Sequence, residues 1–342
     1  CDVSQYDYDG DGYVDNVFVY YAGVGEADSP VSEAIWPHKS ELMTPVTCDG
    51  KKIVRYACHN ELQYNEDEIP RMAGIGGFVH EFTHVLGLPD CYNTVNNDSF
   101  ANPLTWDVMA SGNYNENSHR PPLFSGYQRY FCNWVQPIEL KTPTDVSMGY
   151  ATDPESYDDV YIIKTAKYKE YYLLENRQKE GWDAGLAGNG MLVWHIDYDP
   201  VVWKNNEVND DDTHQRIDIV EAGNKTYSSR LNQKRYPFPG AGKVTSFTDD
   251  TTPSMLTWTG ARLTKPLTII VEKDKTIYFA FMGGAGVDDV RAAGAEVSVG
   301  NGVINVNCEN GVNVTICDAM GRVVTTGEVA GEHSFSVNPG LY

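Results

Sequence analysis

The chain has 342 residues, 41% of them hydrophobic and 22% charged, which is ordinary for a globular protein and long enough for two or three domains with a sizeable core. No apolar run reaches the roughly 18 residues of a membrane-spanning helix, and a formal net charge of −22 repels phosphate backbones, which argues against a nucleic-acid partner. The same acidity suits a protein that holds divalent cations.

In chain order, the first feature is "DYDGDGYVD" at 7–15. Asp7, Asp9, Asp11 and Asp15 fall on positions one, three, five and nine of a calcium loop, with Gly12 at position six. Position twelve is Phe18 rather than a bidentate Glu, so the pattern is not an EF-hand but fits a shorter calcium loop. The alternative is a solvated Asp/Gly turn. "VDNVFVYYA" at 14–22 then predicts a buried strand, and "KKIVRYACH" at 51–59 predicts another after the turn signal Asp49-Gly50. Residues 74–86 switch to a helical pattern. Asn- and Pro-rich loops follow, and "LFSGYQRYFCN" at 123–133 predicts a second helix with Pro121 and Pro122 at its start.

Beyond about residue 140 come short strands separated by Gly, Asn and Asp turns, the pattern of an all-β sandwich or barrel. Within them "WHID" carries His195 and Asp197, read as a satisfied buried pair, and "NDDDTHQRID" at 209–218 reads as a solvated acidic loop. "GGAGVDDVRAAGAE" at 283–296 reads as a linker. It is followed by alternating strands around Asn301-Gly302 and Asn310-Gly311, a third and incomplete β-domain. The chain starts at Cys1 and stops in "VNPGLY", so both ends read as cut. Seven cysteines, without a CxxC pair, leave a disulfide and buried free thiols equally open.

The chemistry concentrates in "HEFTHVLGLPD", residues 80–90. His80 and His84 are four apart, roughly 40° of helical rotation and about 6 Å of rise, so both imidazoles project from one face and can share a tetrahedral ion. Asp90 would point away from that face on a continuous helix. Gly87 can adopt a left-handed conformation that ends the helix, and Pro89 prevents its resumption, so the chain can turn back and bring Asp90 to the metal. Glu81, beside the first ligand, is placed to act on a water as general base. An amphipathic helix with hydrogen-bonded histidines would account for the histidines but not for the helix stop and the acid after it.

"HEFTHVLGLPD" resembles the HExxHxxGxxD form of the metzincin-type zinc proteases, and most closely that of the immune inhibitor A family of secreted bacterial metalloproteases. "YDYDGDGYVDNVFVYYAG", "IWPHK", "WDVMASGNYN", "PPLFSGYQRYFCNW", "YYLLENRQKEGWD" and "GNGMLVWHID" resemble stretches of that family in the same order, so the likeness spans most of residues 5–283. It implies an α+β fold: a metzincin-like catalytic domain at 1–138, with a mixed sheet and an active-site helix and truncated at its N-terminus, then a β-sandwich domain at 139–283. It implies a zinc-dependent endopeptidase with His80, His84 and Asp90 as zinc ligands, Glu81 as general base, and Met109 in the turn that floors the metal site. Some metzincins carry a tyrosine two residues after that methionine. Here the position is Ser111, and Tyr114, the first tyrosine after it, becomes the candidate oxyanion stabiliser. "VNVTICDAMGRVV" and "NPGLY", within a linker and truncated immunoglobulin-like domain at 284–342, resemble the sorting domains of Bacteroidota secretion substrates. The expected protein is secreted or cell-surface, cleaves proteins or peptides, uses zinc and calcium, and engages secretion or anchoring machinery. The competing expectation is a non-catalytic extracellular binding or adhesion protein on a protease-like fold, for which a general base beside the ligands has no use.

Overall fold

A computed structural model describes residues 2–29, 31–64, 69–96, 103–226, 229–284, 295–300, 302–317 and 323–337. The first sheet is built on β3 (Lys51–Tyr64). β1 (Phe18–Val24) pairs with it in parallel, and β2 (His38–Cys48) and β4 (Pro70–Met72) pair with it antiparallel. The β2–β3 hairpin closes at Asp49-Gly50, where both residues have positive φ (47° and 77°), the conformation that matches the strand twist. The strand expected at 14–22 starts instead at Phe18 and is not buried: Val19 and Tyr20 are 44% and 58% exposed. β1 lies at the sheet edge, with Phe18 and Tyr20 packed on Phe78 of the following helix.

That helix, α1 (Gly76–Val85), starts where backbone meets backbone: a Cβ on Gly76 would stand 1.8 Å from the Asn113 carbonyl oxygen. α2 (Gly126–Phe131) is shorter than the helix expected at 123–133. Its start is set by a capping box, Ser125 accepting from the Gln128 N–H while the Gln128 side chain accepts from the Ser125 N–H, so Pro121 and Pro122 precede the helix rather than open it.

The next segment alternates strands: β5 (Ile138–Glu139), β6 (Thr144–Met148), β7 (Val160–Lys164), β8 (Glu170–Arg177) and β9 (Gly190–Asp197). After α3 (Pro200–Asn205) come β10 (Ile217–Ile219), β11 (Leu267–Lys273) and β12 (Thr276–Phe281). They form a five-stranded sheet, β10-β9-β8-β7-β5, and a three-stranded one, β11-β12-β6. The five-stranded sheet is buried on both faces. Leu173, Leu192, Trp194 and Ile196 pack with Trp106, Met109 and Tyr127 on the side of α1 and α2; Tyr172, Leu174, Met191 and Val193 pack with Met148, Ile277 and Phe279 of the smaller sheet. One hydrophobic cluster therefore draws residues from both sides of position 138.

At the C-terminal end β13 (Ala295–Gly300), β14 (Val303–Cys317) and β15 (Val323–Ser336) form an antiparallel sheet with its own cluster of Ile304, Val306, Cys308, Ile316, Val329 and Phe335. Asn310-Gly311 does not turn the chain as expected. β14 runs through it, and the register shifts there, between Cys308 and Val312, opposite Gly331. Most of the proposed linker and the terminal "NPGLY" lie outside the described residues. The architecture is mixed α+β, with few helices and several sheets. Among the described residues no helix is long and apolar enough to cross a membrane, and the six described cysteines are free thiols.

Candidate metal centre

α1 presents His80 and His84 from successive turns, ring centroids 4.9 Å apart. The helix then stops in a Schellman arrangement. Gly87 takes φ +94°, its N–H reaches the His84 carbonyl at 3.1 Å, and the Leu88 N–H reaches the Thr83 carbonyl at 3.3 Å. Pro89 carries the chain back, and Asp90 Oδ1 comes to 3.1 Å from His80 Nε2 and 3.3 Å from His84 Nε2.

The tautomers follow from the other ring nitrogens. His80 Nδ1 lies 2.8 Å from the Val108 carbonyl and His84 Nδ1 2.9 Å from the Leu88 carbonyl. A carbonyl only accepts, so each Nδ1 carries the proton and each neutral ring turns its Nε2 lone pair inward. Asp90 Oδ1 is buried without a hydrogen-bond donor. Three such groups thus face one another in a buried place, a set able to hold a cation, and two imidazoles with one carboxylate suit zinc. In the absence of a metal a proton takes its part: burial opposes a charge on His80, but hydrogen bonding and charge from Asp90 outweigh it and push the pKa up to about 9.

The floor is the loop 107–110. Met109 is fully buried; its N–H donates to Asp107 Oδ1 at 2.7 Å, and its carbonyl accepts from the Cys91 N–H at 2.7 Å, tying the loop to the residue after Asp90. Gln128 of α2 also donates to Asp107 Oδ1. Burial pushes the Asp107 carboxyl up to about 6, against the opposing Met109 N–H and Arg177 charge.

A cleft of about 810 Å³ opens over the three ligand groups, with Glu81, Trp36, His38 and Tyr114 on its walls. Glu81 is itself buried, which raises its carboxyl above the usual range. Tyr114, half exposed, ends a turn of 3-10 helix at Ser111–Tyr114. Sequence reasoning missed Tyr92, which borders the same cleft beside Asp90 and whose hydroxyl is pushed well above its ordinary range by burial and the Asp90 charge. It also missed α3, which lines the cleft through Trp203 and Lys204. An Asp cap followed by Pro at N1 (Asp199-Pro200) was the available signal.

In the acidic loop, ligand atoms of Asp7, Asp9 and Asp11 all lie within 4.8 Å of one another. Asp15 is not among them: its Oδ2 accepts from the Tyr8 N–H at 3.0 Å, closing the loop. The Asp7 side chain is fully covered. Its Oδ2 meets Lys51 Nζ and the Gly12 N–H, while Oδ1 has no hydrogen-bond partner. The run 209–218 is solvated only in its middle, where Asp211, Asp212 and Thr213 are exposed. Asn209 is fully buried, Asp210 accepts from Thr94, and Asp212 accepts from Asn93, so the run is docked on the segment that follows Asp90. His195 and Asp197 do not pair with each other: His195 bonds Glu170 at 2.9 Å between the Tyr172 and Trp258 rings, and Asp197 meets Lys167, His214 and Arg216.

Two histidines one helical turn apart, an acid brought back by a glycine stop and a buried glutamate in the cleft make up a candidate metal centre of the kind found in metallopeptidases. Residues 2–136 match the sequence model of the family described as immune inhibitor A peptidase M6, catalytic domain. A stretch of 143 residues, 37% of this chain, is 30% identical to the pre-pro-metalloprotease PrtV of Vibrio cholerae and covers 15% of that protein. Over 206 residues, 49% of this chain, it is 27% identical to immune inhibitor A of Bacillus thuringiensis subsp. alesti, covering 30% of it. The chain therefore spans less than a third of the length of these curated relatives.

Proposed function

We propose that this chain is a zinc-dependent endopeptidase, secreted or held at the cell surface, that hydrolyses peptide bonds of extracellular proteins. The observation that supports the reading is the convergence of His80 Nε2, His84 Nε2 and Asp90 Oδ1, with each Nδ1 taken up by a backbone carbonyl. Zinc held there supplies Lewis-acid polarisation of the scissile carbonyl and acidifies the attacking water. Glu81, whose carboxyl burial raises above its usual range, would accept the proton of the attacking water and pass it to the leaving amine. Tyr114, which lines the same cleft, would donate to the carbonyl oxygen as charge develops on it. The non-catalytic binding reading is disfavoured by Glu81, a costly buried acid that a mere scaffold does not need. Handling by secretion or anchoring machinery rests on the resemblance of the C-terminal region alone.

A second cation is supported by one observation, the covered and unpartnered Oδ1 of Asp7 in a residue that clusters with Asp9 and Asp11. We assign calcium to this loop, with Asp7 contributing Oδ1 because Lys51 already occupies Oδ2. The test of the main reading is metal analysis of the purified chain together with digestion of a casein-type substrate. One zinc per chain and cleavage abolished by a chelator and restored by zinc are expected. Absence of zinc, or cleavage that persists without it, overturns the reading.

A further inference from the structure

Asp90 is also held from a segment more than a hundred residues downstream. α3 is capped by Asp199 and anchored by Trp203, whose Nε1–H donates to the Tyr127 hydroxyl of α2 at 2.6 Å. It ends at Asn206 in the left-handed conformation, φ 62° and ψ 41°, which Asn tolerates better than most residues. That turn aims the Asn206 carboxamide at Asp90 and at both of its polar handles. Asn206 Oδ1 accepts from the Asp90 backbone N–H at 2.6 Å, and Asn206 Nδ2 donates to Asp90 Oδ2 at 2.7 Å. The assignment of the amide is forced, because the backbone N–H can only donate and must therefore face the amide oxygen.

A carboxylate is free to rotate and to offer either oxygen or both. Here Oδ2 is engaged by the amide, and Oδ1 is the oxygen left facing His80 and His84. The following residues reinforce the dock: Asn209 Nδ2 donates to the Cys91 carbonyl at 2.9 Å, and Asp210 accepts from the Thr94 N–H at 2.6 Å. The contact joins positions 116 residues apart and lies beyond the stretch 2–136 that matches the family's catalytic domain.

We propose that Asn206 is a positioning residue of the metal centre, whose carboxamide clamps the backbone and carboxylate of Asp90 and selects Oδ1 as the metal-facing oxygen. The inference rests on the zinc reading above and adds that the centre is completed by the β-rich segment downstream. Partners that orient a metal ligand typically govern affinity by ~10–100-fold.

The test measures the zinc dissociation constant of the full chain by chelator competition for the parent, Asn206→Asp and Asn206→Gly. Asp keeps the acceptor for the Asp90 N–H but sets a carboxylate against Oδ2. Gly removes both bonds and suits the left-handed backbone. Neither change removes buried apolar area, so both variants are expected to stay folded by circular dichroism. Zinc should bind about 10–100-fold more weakly in both. Cobalt substituted for zinc should give a visible spectrum altered from the parent's. A purely structural Asn206 would instead lower the melting temperature of the metal-free protein while leaving the zinc constant and the cobalt spectrum of the folded protein unchanged, and that result overturns the proposal. A parent that binds no zinc sinks the zinc reading and this inference together; a parent that binds zinc with unaffected variants sinks only this one.

Discussion

The Val108 carbonyl accepts a 2.8 Å hydrogen bond from Nδ1 of His80, so the loop that buries Met109 also sets the tautomer of this candidate ligand. Packing and ligand geometry are coupled through that bond. Met109→Ala should open a cavity under the site and destabilise the metal-free protein by about 2–5 kcal/mol. Denaturant unfolding checks the figure, and a loss well under 1 kcal/mol would show that the loop does not depend on this side chain.

The two residues of the helix motif should separate cleanly. His84→Ala removes one of the three converging lone pairs and should leave the protein without stoichiometric zinc. Glu81→Gln keeps the shape and the metal but cannot accept the proton, so turnover should fall ~10²–10⁴-fold. Metal content and peptide cleavage on the same preparations decide both. Zinc retained in the first variant, or parent-like cleavage by the second, would reverse the corresponding assignment.

Gly87→Ala tests the helix stop. A Cβ there meets only the Phe131 ring, at 3.7 Å, so the cost is not steric contact but the φ of +94°. Roughly 1–2 kcal/mol of destabilisation follows from forcing an L side chain into that region. Zinc affinity should fall as well, because the turn carries Asp90. Unchanged melting and zinc binding would mean that the stop is set elsewhere.

Asp107 offers a pH signature. Its folded-state pKa of about 6 lies above the ordinary 3.8. Below both values the folded and unfolded chains are equally protonated at this group. Between them the unfolded chain ionises first, so the group's contribution to stability falls as pH rises, and the penalty is complete above 6. Asp107→Asn, which keeps the acceptor for the Met109 N–H, removes that dependence. Its melting temperature relative to the parent should climb from about pH 4 to about pH 7. A difference that does not vary with pH would contradict the raised pKa.

For the acidic loop, calcium at a hundredfold excess over its dissociation constant should stabilise the fold by roughly 2.7 kcal/mol. The effect should be lost in Asp9→Ala plus Asp11→Ala and kept in Asp15→Ala, because Asp15 is engaged with the Tyr8 N–H instead. Thermal melts in calcium, magnesium and a calcium-selective chelator make the comparison; identical melts in all three would leave the loop an acidic turn.

What could be read from the sequence was what local geometry dictates. Histidines four apart share a face on any α-helix, a glycine can take positive φ where its neighbours resist it, and a proline after it forbids the helix to continue, so the juxtaposition of His80, His84 and Asp90 follows from eleven consecutive residues. The Asp49-Gly50 hairpin was legible for the same reason. The exposure of β1 was not, since an apolar run looks the same at the edge of a sheet as in its middle. Nor did composition distinguish a solvated acidic run from one docked through Asn209, Asp210 and Asp212 on the segment after Asp90. The clamp of Asn206 on Asp90 has no local signature at all: it exists because the five-stranded sheet and α2 share a core, which brings the end of α3 against a turn 116 residues earlier in the chain.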